Sequence, residues 1–168
     1  EIKDCSQENT EKSALRFQNN HGSGSSITNS ALHNGGGWGV NLNGVSNLLF
    51  QNNVMYNFKN FGINIQLAND IQIDGNIVST VLERRGFVGN GNTDKWSGIA
   101  TCTYGSSSNC PRVQLTNNIV AGATYTGITT QGETCGKAYS QQRVRNNTVH
   151  SVKSESNKYG HGVIAITD

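Results

Sequence analysis

Proline, methionine and charge are all scarce in this 168-residue chain, which has one Pro, one Met and only 14% charged residues. With so little proline, nearly every backbone N–H is free to enter hydrogen-bonded structure, and no polyproline or collagen-like stretch is possible. A net charge of +2 gives little long-range steering toward a charged partner. No basic run, RNA-binding aromatic signature or zinc-finger spacing is present, so a nucleic-acid partner is not expected. No apolar run reaches 18 residues, and no segment is expected to enter a membrane. The four cysteines form no C-x-x-C pair and have no neighbouring His to complete a ligand set, so neither a metal nor another cofactor is expected.

Amides and glycines are what the chain has in plenty: 23 Asn and 20 Gly. Such a surface suits uncharged partners or carbohydrate. Asn, Gly and β-branched residues rank low for helix formation, so "FQNNVMYNFKNFGINI" (50–65) reads as strand and turn. A repeat explains the asparagines. Taking Asn53 as an anchor, Asn76 follows 23 residues later, and Asn118 and Asn147 recur in the same local context. Ser30 lies 23 residues before Asn53, and Cys5 fits the same place one unit earlier. Three residues ahead of the anchors stand Ile2, Ile27, Phe50, Ile73, Leu115 and Val144, and a further apolar residue follows most anchors. Gly39, Gly62, Gly98 and Gly127 each open a third short strand, with Ala14 in the corresponding place earlier.

Three short strands per unit of about 23 residues predict an all-β fold, a right-handed parallel β-helix of about six coils. At one strand spacing per coil the rod is on the order of 29 Å long. Asn53, Asn76, Asn118 and Asn147 are expected to form an internal ladder at one corner. A short amide there tolerates left-handed backbone and bonds the amides of the next coil. Both chain ends read as strands, so residues 1–168 are expected to be one β-helix segment of a larger multidomain chain, with flanking domains as its first partners.

Insertions fall at two corners only, at 79–96 and 150–161 and at 102–111 and 131–142. Long loops confined to set corners are the usual place for contacts on a solenoid. Cys102, Cys110 and Cys135 lie in such loops, whereas Cys5 reads as a ladder position out of their reach. A disulfide within this trio is expected, with its pairing open and Cys5 free. Asn146 heads the one N-glycosylation sequon, Asn146-Asn147-Thr148, which agrees with an oxidising compartment.

A polysaccharide-cleaving site would need charged groups converging on an exposed strand face. Along the Gly-led strand the outward column reads Arg16, Asn41, Asn64, Ala100, Thr129 and Ile164, without a carboxylate. Gln72, Gln114 and Arg145 point out from a neighbouring strand. Asp70 and Asp74 are expected in turns, and His33 and His150 as loop-flanking residues about 19 Å apart. Glu83, Arg84 and Arg85 suit either contact with an anionic sugar or a local ion pair. No catalytic residue is assigned.

The stretches "SALRFQNNHGSGSSITNSALHNGGGWGVNL", "NNVMYNFKNFGINI" and "CPRVQLTNNIVAGATYTGITTQGETCG" resemble the β-helix region of the fibrocystin and fibrocystin-L (polyductin-like) family. The similarity runs from about Ile2 to Ile166. It implies an extracellular, cell-surface or ciliary glycoprotein whose β-helix serves scaffolding or adhesion. The function expected is therefore a non-enzymatic structural or binding module, with self-association or lateral protein partners and Arg84, Arg85, Tyr104, Tyr125 and Tyr139 on its contact loops. Related β-helix modules in cell-surface hyaluronidases make a glycan-cleaving enzyme the alternative. A lectin-like glycan binder, with the three tyrosines as stacking platforms, is a third reading.

Overall fold

The structure is a computed structural model that describes residues 1–3, 13–59, 61–82, 97–102, 112–124, 126–131, 142–152 and 161–166. Among these the protein is all-β, with strands and no helix. A first sheet joins β1 (Ile2–Lys3), β4 (Ala31–His33), β7 (Val54–Lys59), β10 (Ile77–Leu82), β13 (Ile119–Ala121) and β16 (Thr148–His150). A second joins β2 (Ser13–Gln18), β5 (Trp38–Asn43), β8 (Phe61–Gln66), β11 (Ser97–Cys102), β14 (Thr126–Gln131) and β17 (His161–Ile166). The third joins β3 (Ser26–Thr28), β6 (Ser46–Gln51), β9 (Asn69–Asp74), β12 (Val113–Thr116) and β15 (Arg143–Arg145). All pairings are parallel, and each strand pairs with the third one after it, so the chain visits the three sheets in turn.

The alternation of side chains along each strand turns this register into stacked columns. Ile27, Phe50, Ile73, Leu115 and Val144 form one column in the third sheet. Leu32, Met55, Val78, Val120 and Val149 form another in the first, and Leu15, Val40, Ile63, Ile99 and Ile128 a third in the second. Most of these meet in a single core cluster between the sheets. A fully buried Phe50 or Ile73 contributes about 1.5–3 kcal/mol relative to exposure.

The register corrects two boundaries. Ile2 pairs with Leu32, so it stands in the column that follows the anchor rather than the one that precedes it. Apolar residues flank every anchor on both sides, and a lone isoleucine near the chain start fits either column. Cys5, the anchor expected for this unit, lies outside the described residues. The insertion expected from Ser79 starts later, because β10 continues to Leu82, with Val81 beside Phe58 in the core. The remaining connections 83–96, 103–111, 132–141 and 153–160 lie outside the described residues. Each of the four adjoins an end of a second-sheet strand.

The glycines of the second sheet are there because the strands stack closely. A Cβ on Gly62 would sit 2.5 Å from the Gly98 carbonyl oxygen and 2.4 Å from Val78 Cγ1. Gly98 and Gly127 are confined in the same way, by Val120 and Val149 and by the next glycine's carbonyl.

Candidate functional site: a buried amide ladder and an enclosed polar sheet face

The corner between the third and first sheets has to satisfy backbone groups that no strand ladder reaches. Asn53, Asn76 and Asn118 are completely buried there. Asn76 Oδ1 accepts from the backbone N–H of Asn53 at 2.9 Å and from its Nδ2 at 3.0 Å. Asn118 Oδ1 does the same for Asn76, and Asn147 Oδ1 for Asn118. Each Nδ2 also donates to a carbonyl one coil back: Ile27, Phe50, Ile73 and Leu115 in order. At the first position Ser30 offers only its N–H, which donates to Asn53 Oδ1 at 2.9 Å.

The tolerance of left-handed backbone belongs to a different residue from the one expected. At this corner the positive-φ residues are Asn29, Asn52, Gly75, Asn117 and Asn146, each immediately before its anchor. In an Asn-Asn pair the first turns the chain and the second bonds the stack. A single residue cannot do both, since the turn directs the first side chain outward, where Asn52, Asn117 and Asn146 are exposed. Asn146, the glycosylation candidate, is thus an exposed turn residue.

The described carboxylates are engaged. Asp74 lies in β9 rather than in a turn, and bridges three turns of the chain. It accepts from Gln51 Nε2 at 2.9 Å, Thr116 Oγ1 at 2.6 Å and Asn117 Nδ2 at 2.8 Å. Those bonds, that of Thr116 first, hold its carboxyl below the ordinary value of 3.8. Asp70, also in β9, has left-handed backbone and pairs with Arg112. Glu1 is bonded to His33 Nε2 at 2.8 Å, with Lys3 also close, and the His33 bond leads in lowering its pKa. His33 ends β4 beside a loop, as expected, but is buried there and stacks on Tyr56 with ring centroids 4.7 Å apart. Among the described residues no group of three His, Cys, Asp or Glu side chains gathers as metal ligands. A hollow of about 190 Å³ beside Asn47, Asp70 and Gln72 is small for a ligand pocket.

The outer column of the second sheet departs furthest from expectation. Arg16 is exposed, but Asn41 and Thr129 are only 3% exposed and Asn64 and Ala100 are fully buried. Val40, Leu42 and their equivalents belong to the central core, whereas Phe61, Ala100 and Trp38 form a separate cluster. Trp38 meets Phe61 edge to face at 5.4 Å. Polar partners surround them: Asn64 Nδ2 donates to Asn41 Oδ1 at 3.1 Å, and the Ser97 and Thr129 hydroxyls lie 2.9 Å apart. From β5 to β14 the sheet is therefore enclosed on both faces, while Arg16 in β2 and Val163 in β17 are exposed. The missed signal is the residue ahead of each column glycine, which reads Trp38, Phe61, Ser97 and Thr126.

The remaining candidates are not brought together by the described structure. Cys110, Cys135, Arg84, Arg85, Tyr104, Tyr125 and Tyr139 lie outside the described residues, and Cys102 is placed only as the last residue of β11. No protein-family model matches the chain, and no match to it emerges among curated proteins or solved structures.

Proposed function

We propose that the stacked sheets are a right-handed parallel β-helix of about six coils that acts as a rigid, non-enzymatic structural and binding module. The right hand rests on the general preference of parallel crossovers. The ladder from Ser30 through Asn147 carries the reading. It ties successive turns through buried side chains in addition to the sheets, and a rod so tied keeps its length under load. The engagement of Asp70 and Asp74 in structural bonds supports a role without catalysis. The resemblance to the fibrocystin β-helix region supports a place in a large extracellular glycoprotein at the cell surface, cilia included. In that setting the segment spaces flanking domains and meets lateral partners or glycans through its long connections. A disulfide among Cys102, Cys110 and Cys135 and a glycan on Asn146 belong to the same reading.

Incubating the intact parent protein with hyaluronan and with uronate polymers, with and without calcium, should leave chain length unchanged. Depolymerisation that is abolished by substituting Arg84 or Asp74 would replace the scaffold with a glycan-cleaving enzyme.

A further inference from the structure

Each ladder asparagine staples the coil before its own. Asn53, Asn76, Asn118 and Asn147 accept the N–H of the anchor one coil back on Oδ1 and give Nδ2 to a carbonyl there. Among the described residues no side chain does the same for Asn147. Its N–H has no acceptor, and the Val144 carbonyl stands where the Leu115 carbonyl takes its bond from Asn147.

The inward columns stop at the same level. Val144 is 37% exposed, whereas Leu115 beside it is 1% exposed. Val149 is partly buried next to buried Val120, and Val163 is exposed next to buried Ile128. β15, β16 and β17 are edge strands, and a Cβ on Gly162 would meet nothing within 4 Å. Such an edge presents backbone groups ready to pair with another strand. The opposite edge is finished differently. Ser30 Oγ donates to the carbonyl of its neighbour Thr28, and the turn at Gly22 packs against the Phe17 ring.

We propose that the edge formed by β15, Asn147 and β16 is a docking site for a separate polypeptide segment of the pattern apolar-x-x-Asn-x-apolar, bound in parallel. It continues an interface that the protein already makes between its own coils, where Phe50, Asn53 and Met55, Ile73, Asn76 and Val78, and Leu115, Asn118 and Val120 carry that pattern. The segment adds a strand to the third and first sheets. Its asparagine Oδ1 accepts from Asn147, its Nδ2 donates to the Val144 carbonyl, and its apolar side chains cover Val144 and Val149. The corner selects asparagine because it needs an acceptor and a donor on one short side chain; aspartate lacks the donor, and leucine lacks both. A second copy stacked end to end would set β1 on β16 and β2 on β17 but leave β15 uncovered, since β3 belongs to the coil beyond. The proposal rests on the coil stacking of the scaffold reading and adds a partner to it.

The test titrates the intact chain into a fluorescent peptide with the sequence of residues 113–122, followed by anisotropy. The peptide should bind saturably, and a scrambled peptide should not. Leucine in place of Asn118 in the peptide should weaken binding roughly tenfold or more, because the two corner groups go unpaired. Glycine in place of Asn117, which only turns the chain, should change it by less than about twofold. On the protein, Val144→Lys should abolish binding, and Val163→Lys, on the sheet that this peptide does not reach, should leave it intact. No binding, equal binding of the scrambled peptide, indifference to Asn118, or binding that survives Val144→Lys would each overturn the proposal. A dimer of the chain alone that Val144→Lys disperses would overturn it too, by assigning the edge to a second copy. None of these results bears on the scaffold reading, which fails instead on polymer cleavage.

Discussion

Asn52 and Asn53 are chemically identical neighbours, and the structure gives them opposite sensitivities to the same substitution. Replacing either with glycine adds the same backbone entropy to the unfolded chain, about 0.5–1 kcal/mol. At Asn52 the native φ is 54° and the side chain is exposed without a hydrogen bond among the described residues. Glycine adopts that backbone more readily than asparagine does, so Asn52→Gly should change stability by only a few tenths of a kcal/mol. At Asn53 the side chain accepts from the Ser30 N–H and donates to the Ile27 carbonyl, both at 2.9 Å. Its removal orphans both backbone groups, at about 1–3 kcal/mol each. Adding the entropy, Asn53→Gly should cost about 2.5–7 kcal/mol, a large share of a typical domain's stability. Urea unfolding followed by far-ultraviolet circular dichroism would measure both, read as a change in midpoint at constant slope. Equal losses at the two positions would refute the division between turning and bonding. An Asn53→Gly cost under 1 kcal/mol would refute the ladder's energetic role altogether.

The other expectations concern single sites. Gly98→Ala would press a methyl to 2.2 Å from Val120 Cγ1 and 2.8 Å from the Gly127 carbonyl oxygen, and should cost about 2–3 kcal/mol. Gly162→Ala meets nothing within 4 Å and should be neutral or stabilising by up to about 1 kcal/mol; a matching loss at both, by chemical denaturation, would contradict the stacking argument. Leu67 holds a left-handed φ of 50°, in the place that Gly44 takes one coil earlier, so Leu67→Asn should raise stability by about 0.5–1 kcal/mol. A lower melting temperature in that variant would mean that the leucine side chain packs to more effect than its exposure suggests. Asp74 has a folded pKa below its unfolded value, so its contribution is present above about pH 4 and lost as pH falls through the folded pKa. Asp74→Asn should flatten the fall in urea midpoint below pH 4, and a pH profile identical to the parent's would assign that fall to other groups.

What the sequence determined by itself is local and periodic. The spacing of Asn53, Asn76, Asn118 and Asn147, with apolar residues on either side, dictates a strand-corner-strand unit. A side-chain period of two allows only one register for each repeat once an anchor is set. Where the anchor was weak the reading slipped, as at Ile2, because a lone apolar residue carries no phase. The second role of the Asn-Asn pair was not legible either, since two adjacent amides look alike until backbone twist sends one out and one in. Tertiary structure alone decided the fate of the outer face of the second sheet. Asn41, Asn64 and Thr129 alternate with core residues as an exposed column would, and yet they are buried. Alternation reports which side of a strand a residue is on. Whether water reaches that side is a matter of tertiary packing, which the alternation itself does not encode; Trp38 and Phe61 ahead of the glycines are the local hint of it.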